Sequence, residues 1–178
     1  YLLFGFFLIL SLLVSMFSHI VAKAFAIGFT KETIDLAAPL FAINFFYLPI
    51  IFTVTFMAAL LQYKHHFATS AYSTALLNIA MIISLLISKN LEQYEITFYL
   101  SYGVLSGGIL QILVHLYAVK KLNLCKIFHF KKHEKKEESR FYKNFFSATF
   151  GSSTLHISAF IDTWLASFLI SGSISYLY

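Results

Sequence analysis

Asp162 is the only carboxylate in the apolar run "HISAFIDTWLASFLISGSISYLY" that spans residues 156–178. A charge inside a membrane-length helix is costly and faces protein or water, where it serves ion paths, proton relays or ion pairs. At about 100° per residue, the face centred on Asp162 carries Gly151, Thr154, Ser158, Ala159, Ala166 and Ser173. The opposite face carries Ile157, Phe160, Trp164 and Phe168. The small, polar side is expected to turn toward the protein interior or a water-filled cavity, and small residues let another helix approach closely. Two roles stay open for the carboxylate. It binds a cation (Na⁺ or H⁺) beside hydroxyl and backbone oxygens, or it ties helices together by a hydrogen bond or by an ion pair to a helix outside these residues. No basic residue within the spans is an obvious partner, with His115 and His156 as the candidates.

Other polar and special residues give further candidates. Asn78 in "STALLNIAM" either lines a pathway or bonds between helices. Gly103 and Gly107 in "SYGVLSGGILQ" form a small-xxx-small packing pattern. Pro49 in "INFFYLPIIF", near Asn44, predicts a kink, because proline removes a backbone hydrogen bond. "SGSISY" at 171–176 reads as a bend hinged at Gly172 or as a serine-rich helical stretch. His129 and His133 stand at i and i+4, yet zinc-protease spacing needs Glu directly after the first His, and Phe130 stands there. Neither that pair nor "KHH" at 64–66 is expected to hold a metal; both suit a headgroup-facing surface. Phosphate-cradling glycine loops, paired cysteines and GxSxG turns are missing from the sequence, and Cys125 is alone.

The elements that would position these residues are membrane spans. Hydrophobic residues make up 59% and charged residues 12% of the 178, and mean hydropathy is +0.77; soluble domains carry about a quarter charged residues. With charges as punctuation, apolar spans fall at 1–21, 36–62, 67–88, 94–119 and from 145 past 172. Each approaches or exceeds the roughly 20 residues a helix needs to cross a bilayer. Strand alternation is lacking, so the expected class is an all-α, polytopic membrane bundle with five transmembrane helices. Nine of the thirteen Lys and Arg lie in Lys120–Lys143. That clustering bears on orientation and gives no sign of nucleic-acid binding. "YKHH" and the 120–143 connector are basic, whereas the two alternate connectors are not, so the basic pair is expected in the cytoplasm. The chain starts without Met and is apolar at both ends, which leads us to expect an internal piece of a larger membrane protein.

"STALLNIAMI", "SGGILQILVHLYAVKK" and "ISAFIDTWLASFLISGSISYLY", with the basic connector before the last, resemble the MurJ (MviN) family of lipid II flippases. The larger superfamily also holds multidrug and polysaccharide transporters. The resemblance covers nearly the whole chain, as helices three to seven of a fourteen-helix, two-lobe protein. Residues 1–119 would then belong to the amino-terminal lobe, 120–143 to the cytoplasmic connector, and 144–178 to the truncated first helix of the second lobe. It implies a bacterial inner-membrane transporter, not an enzyme. Its partner would be lipid II, with membrane lipids around it, no cofactor beyond a coupling ion (Na⁺ or H⁺), and no nucleic acid. The lobes of such proteins rock about a central cavity.

By the same resemblance, Ser175 matches a position near that cavity. Asp162 matches one that is acidic in members resembling ion-coupled flippases and Asn in others, and Asn78 matches the Asn of "LLN". The family's cavity arginines fall outside these residues. Departures occur as well: Ser70 and Thr74 stand where members often carry Pro, and Phe46, not Pro, precedes Tyr47. Alternative readings are a polysaccharide or O-antigen exporter of the same superfamily, a multi-span enzyme on lipid-linked sugars, and a structural membrane subunit.

Overall fold

The computed structural model describes residues 2–25, 27–124 and 135–169, and among these the regular structure is helical. The helices are α1 (Leu2–Met16), α2 (Ser18–Phe25), α3 (Lys31–Asn44), α4 (Tyr47–Tyr63), α5 (Ala68–Ser88), α6 (Gln93–Lys121) and α7 (Lys135–Ala166). Three stretches among the described residues are long and apolar enough to cross a membrane: Lys31–Tyr63, Ala68–Ser88 and Gln93–Lys121. The pair α1 and α2 would make a fourth if counted as one span, but it bends by 89° after Met16. The expected single span at 1–21 is therefore two helices. The described part of α7 is too rich in polar residues to join this set, and the rest of the expected fifth span, from 170 on, lies outside the described residues. The chain is thus a multi-pass membrane protein of helices.

Pro49 explains the interruption between α3 and α4. In a continuous helix the Phe45 carbonyl would accept from the N–H of residue 49, which proline lacks, and the ring would press on that carbonyl. The helix breaks at Phe45–Phe46, four residues before the proline. The freed carbonyl instead accepts from Leu48 N–H at 3.0 Å and from the Ser11 hydroxyl of α1 at 2.7 Å. Ser11 is wholly buried. One proline thus creates both the break and the acceptor that fastens α1 to it.

Helix ends follow local rules. Thr30 caps α3 by accepting from Thr33 N–H at 3.3 Å. The Glu95 carboxylate accepts from Glu92 N–H at 3.4 Å at the start of α6, while Lys120 and Lys121 complement the carbonyl end of its dipole. α4 stops at a left-handed residue, His65 (φ 57°), with His66 N–H on Leu61 O at 2.9 Å and His65 N–H on Gln62 O at 2.8 Å.

α6 is the centre of the packing, against α5 along its length and against α4 and α3. Side-chain burial is concentrated in two small apolar clusters. One joins Met57 and Leu61 to Ala118, Val119 and Leu124; the other joins Ala22 of α2 to Ile34 and Ala38 of α3. Large apolar side chains such as Leu86, Ile87, Leu113 and Tyr117 point outward. Small and polar residues fill the space between helices, as expected where lipid offers no hydrophobic penalty.

Candidate functional site

The α5–α6 seam is built from a row of residues four apart on α6: Gly103, Gly107, Gln111, His115 and Val119, all buried. Such a row stays on one helix face. Gly103 meets the side chain of Ser84, and a Cβ at Gly107 would lie 2.9 Å from Leu77 and 3.1 Å from Ala80. The backbones come this close because neither glycine has a side chain. Gly108, one residue round, admits Tyr47 and Ile50 of α4 in the same way.

Beyond the glycines the seam becomes polar. The Gln111 amide donates to Ser73 O on α5 at 3.0 Å, and its carbonyl oxygen accepts from the Tyr47 hydroxyl on α4 at 3.2 Å. A single side chain therefore bonds three spans at one depth. His115, one turn on, is fully buried, and its Nδ1 lies 2.8 Å from Gln111 O. A carbonyl only accepts, so Nδ1 is the donor in this bond. Among the described residues Nε2 has no partner, and neither does the buried Ser70 hydroxyl. The antiparallel pairing of 103 with 84 and 111 with 73 brings Ser70 to the depth of His115.

A second polar cluster sits at the α3–α4 break. Asn44 Nδ2 donates to Leu40 O and to Ser101 Oγ, both at 2.9 Å, and the Ser101 hydroxyl donates onward to Thr97 O. Beside the break lies an open groove of about 430 Å³ whose walls include Phe41, Asn44, Phe45 and Tyr47. Its lining is mainly apolar with two polar groups, which suits a lipidic or amphipathic occupant better than a reacting one. A wider groove of about 680 Å³ runs between α5 and α6 toward Lys121 and His66.

The sequence candidates fall in different places. Asp162 and Ser158 lie on exposed positions of α7, where nothing among the described residues pairs with the carboxylate. His115 is engaged in the α5–α6 seam, and His156 is exposed. Asn78 is on the exposed face of α5, away from Gln111's bonds. Pro49 is buried in the first turn of α4, and Gly103 and Gly107 are in the seam. Gly172, Ser173 and Ser175 lie outside the described residues, as do His129 and His133. Among the described residues no group of three His, Cys, Asp or Glu is placed to hold a metal ion. Ser11, Ser101 and Gln111 were not singled out from sequence. The four-residue spacing Gly103–Gly107–Gln111–His115 was the signal that would have found the last.

At its far end α7 meets α2 and the residues that follow it. Phe160 packs edge-on to Phe25 with ring centres 5.1 Å apart, and Gly28 N–H donates to Ser167 Oγ at 3.2 Å.

Comparison with known proteins accounts for this helical arrangement. The family described as "Lipid II flippase MurJ" matches residues 1–178. Proteins named probable lipid II flippase MurJ from two Helicobacter pylori strains are 47% and 48% identical over 183 residues, covering 94% of this chain. One from Aquifex aeolicus is 35% identical over 83% of the chain. The chain spans 40% of the length of the Helicobacter relatives and 29% of the Aquifex one. With a match along its whole length, the chain belongs to the lipid II flippase MurJ family.

Proposed function

We propose that the protein containing this chain flips lipid-linked peptidoglycan precursor, lipid II, across the bacterial inner membrane by alternating access. The observation that carries this reading is the family match over residues 1–178, with relatives named as flippases and not as enzymes. The membrane-length helices and a mainly apolar groove beside a helix break agree with a lipidic cargo. The 120–143 connector is cytoplasmic on this reading, from its excess of Lys and Arg. Asp162 is the coupling residue, binding Na⁺ or H⁺ on the second lobe's first helix. The cavity positions Ser158, Ser173, Ser175 and Asn78 line the route, and Pro49, Gly103, Gly107 and Gly172 serve bending and packing.

One experiment tests both levels. The full-length gene is placed in a strain depleted of its own lipid II flippase, and growth and the leaflet distribution of lipid II are measured. Rescue, with lipid II reaching the outer leaflet, is expected; continued lysis with lipid II held inside despite normal membrane expression overturns the flippase reading. An Asp162→Asn copy is expected to slow flipping at least about tenfold, the scale of losing one charged ligand interaction. Wild-type flipping by that copy removes Asp162 from ion coupling while leaving the cargo assignment intact.

A further inference from the structure

We propose that the contact between Gly28 and the end of α7 closes the transporter on the side opposite the basic connector, so that Gly28 and Ser167 position α7 during transport. The inference rests on the alternating-access reading above.

Chain direction places the contact. Successive spans alternate, so the residues around Gly28, the 89–92 turn and the end of α7 share one side, and the 64–67 turn lies on the other. Among the described residues α7 packs on α2, with Phe160 against Phe25, and on the turn after α2 at Gly28. The fit there is tight. Ala166 and Ser167 are 4% and 3% exposed, although Leu165 beside them is 54% exposed. The Ser167 hydroxyl accepts from Gly28 N–H and donates to Trp164 O at 2.6 Å, so both of its roles are used. A Cβ at Gly28 would strike the Ser167 carbonyl and lie 2.7 Å from Phe168 N. These are backbone atoms and cannot swing away, so any side chain at position 28 must push α7 off.

A chain of aromatic rings extends from this contact. Phe160 of α7 abuts Phe25 of α2; Phe25 is 5.4 Å from Phe41 of α3, and Phe41 stacks on Phe45 at 6.3 Å. Phe41 and Phe45 are walls of the groove at the helix break. Departure of α7 therefore removes the first ring of a stack that ends at the groove. Among the described residues, one hydrogen bond, one edge-on ring pair and two buried small residues hold the contact. That is little enough to make and break in every cycle, and geometrically strict enough to define a closed state.

Thiol labelling in cells tests this with the full-length protein in a background free of other cysteines. Ala166→Cys and, as an exposed reference, Leu165→Cys are treated with a membrane-impermeant maleimide from outside. The thiol at 166 is expected to label much more slowly than that at 165. Adding Gly28→Val should speed labelling at 166 about tenfold, the change expected when a closed population loses about 1.4 kcal/mol of preference. Adding Ser167→Ala instead, which removes the hydrogen bond without a clash, should give a smaller rise in a protein that still folds. Equal labelling at 165 and 166 in the parent, or no change at 166 with either substitution, overturns the closure. Rescue of growth is scored separately, in the Ala166→Cys parent with Gly28 and Ser167 intact: failure to rescue there overturns the flippase reading, and rescue there with no labelling shift in either variant overturns the closure alone.

Discussion

Gln111 shows how one polar side chain organises a membrane interior. Its amide spends both functions on neighbours, Ser73 O and Tyr47 OH, and is only 4% exposed. Interhelical hydrogen bonds of this kind contribute on average about 0.6 kcal/mol each, and up to about 1.7. Gln111→Leu should therefore destabilise the protein by about 1–2 kcal/mol, read as a lower melting temperature in detergent. Tyr47→Phe should cost less, and the double variant should cost less than the two single losses added, since both remove the same bond. Strict additivity would show that the Tyr47–Gln111 bond carries no energy. Little of this network was legible beforehand. An isolated Gln or Ser in an apolar run reads as incidental until its depth relative to the facing helix is known. Asp162 was legible as an anomaly because its charge is, but its single-sequence helical face does not say what lies across from it.

At the scale of elements, charged punctuation placed α5 and α6 almost to the residue, 67–88 against Ala68–Ser88 and 94–119 against Gln93–Lys121. Both helices begin and end where side chains must leave lipid, so the boundary and the charge have the same cause. The bend after Met16 left no such trace, because the apolar run continues through it into α2. Pro49 announced an irregularity, and the rule that proline frees the carbonyl four residues earlier gives its position at Phe45. The small-xxx-small pattern marked which face of α6 would be crowded without naming Leu77, Ala80 or Ser84 as what crowds it. His65, which ends α4 with positive φ, offers a local test. A left-handed β-carbon costs about 1–2 kcal/mol, partly offset by the extra freedom glycine has when unfolded. His65→Gly should thus stabilise by about 0.5–1 kcal/mol and raise the melting temperature; a fall would mean that the imidazole makes a contact worth more than the strain.

For the whole molecule, the proposed cytoplasmic placement of the basic connector and the "YKHH" turn is open to a direct test. Cys125 lies in that connector and serves as its own reporter. In the full-length protein with any other cysteines replaced, it should react with an impermeant maleimide in inverted vesicles and resist it in intact cells. The opposite pattern would invert the topology and with it the side assigned to the Gly28–Ser167 contact. The positions of α5 and α6 were legible because hydropathy and charge are properties of each segment alone, whereas the expected five spans compare with three membrane-length stretches among the described residues, or four with the bent α1–α2 pair. Contacts between segments were not legible, since they depend on pairings up to 139 residues apart, such as Gly28 with Ser167.

That long separation has a consequence for biogenesis. α5 and α6 are joined by the four residues 89–92 and pack along their whole length, so they can leave the translocon as a finished hairpin while later codons are still being read. α7 is different, because its docking surface lies at its carboxy-terminal end. Its ribosome must pass Phe160 before the helix can meet Phe25, and Ser167 before it can bond Gly28, by which time α1 to α6 have all been made. Ribosome stalling between Phe160 and Ser167 should therefore leave an inserted intermediate that lacks the Gly28–Ser167 hydrogen bond.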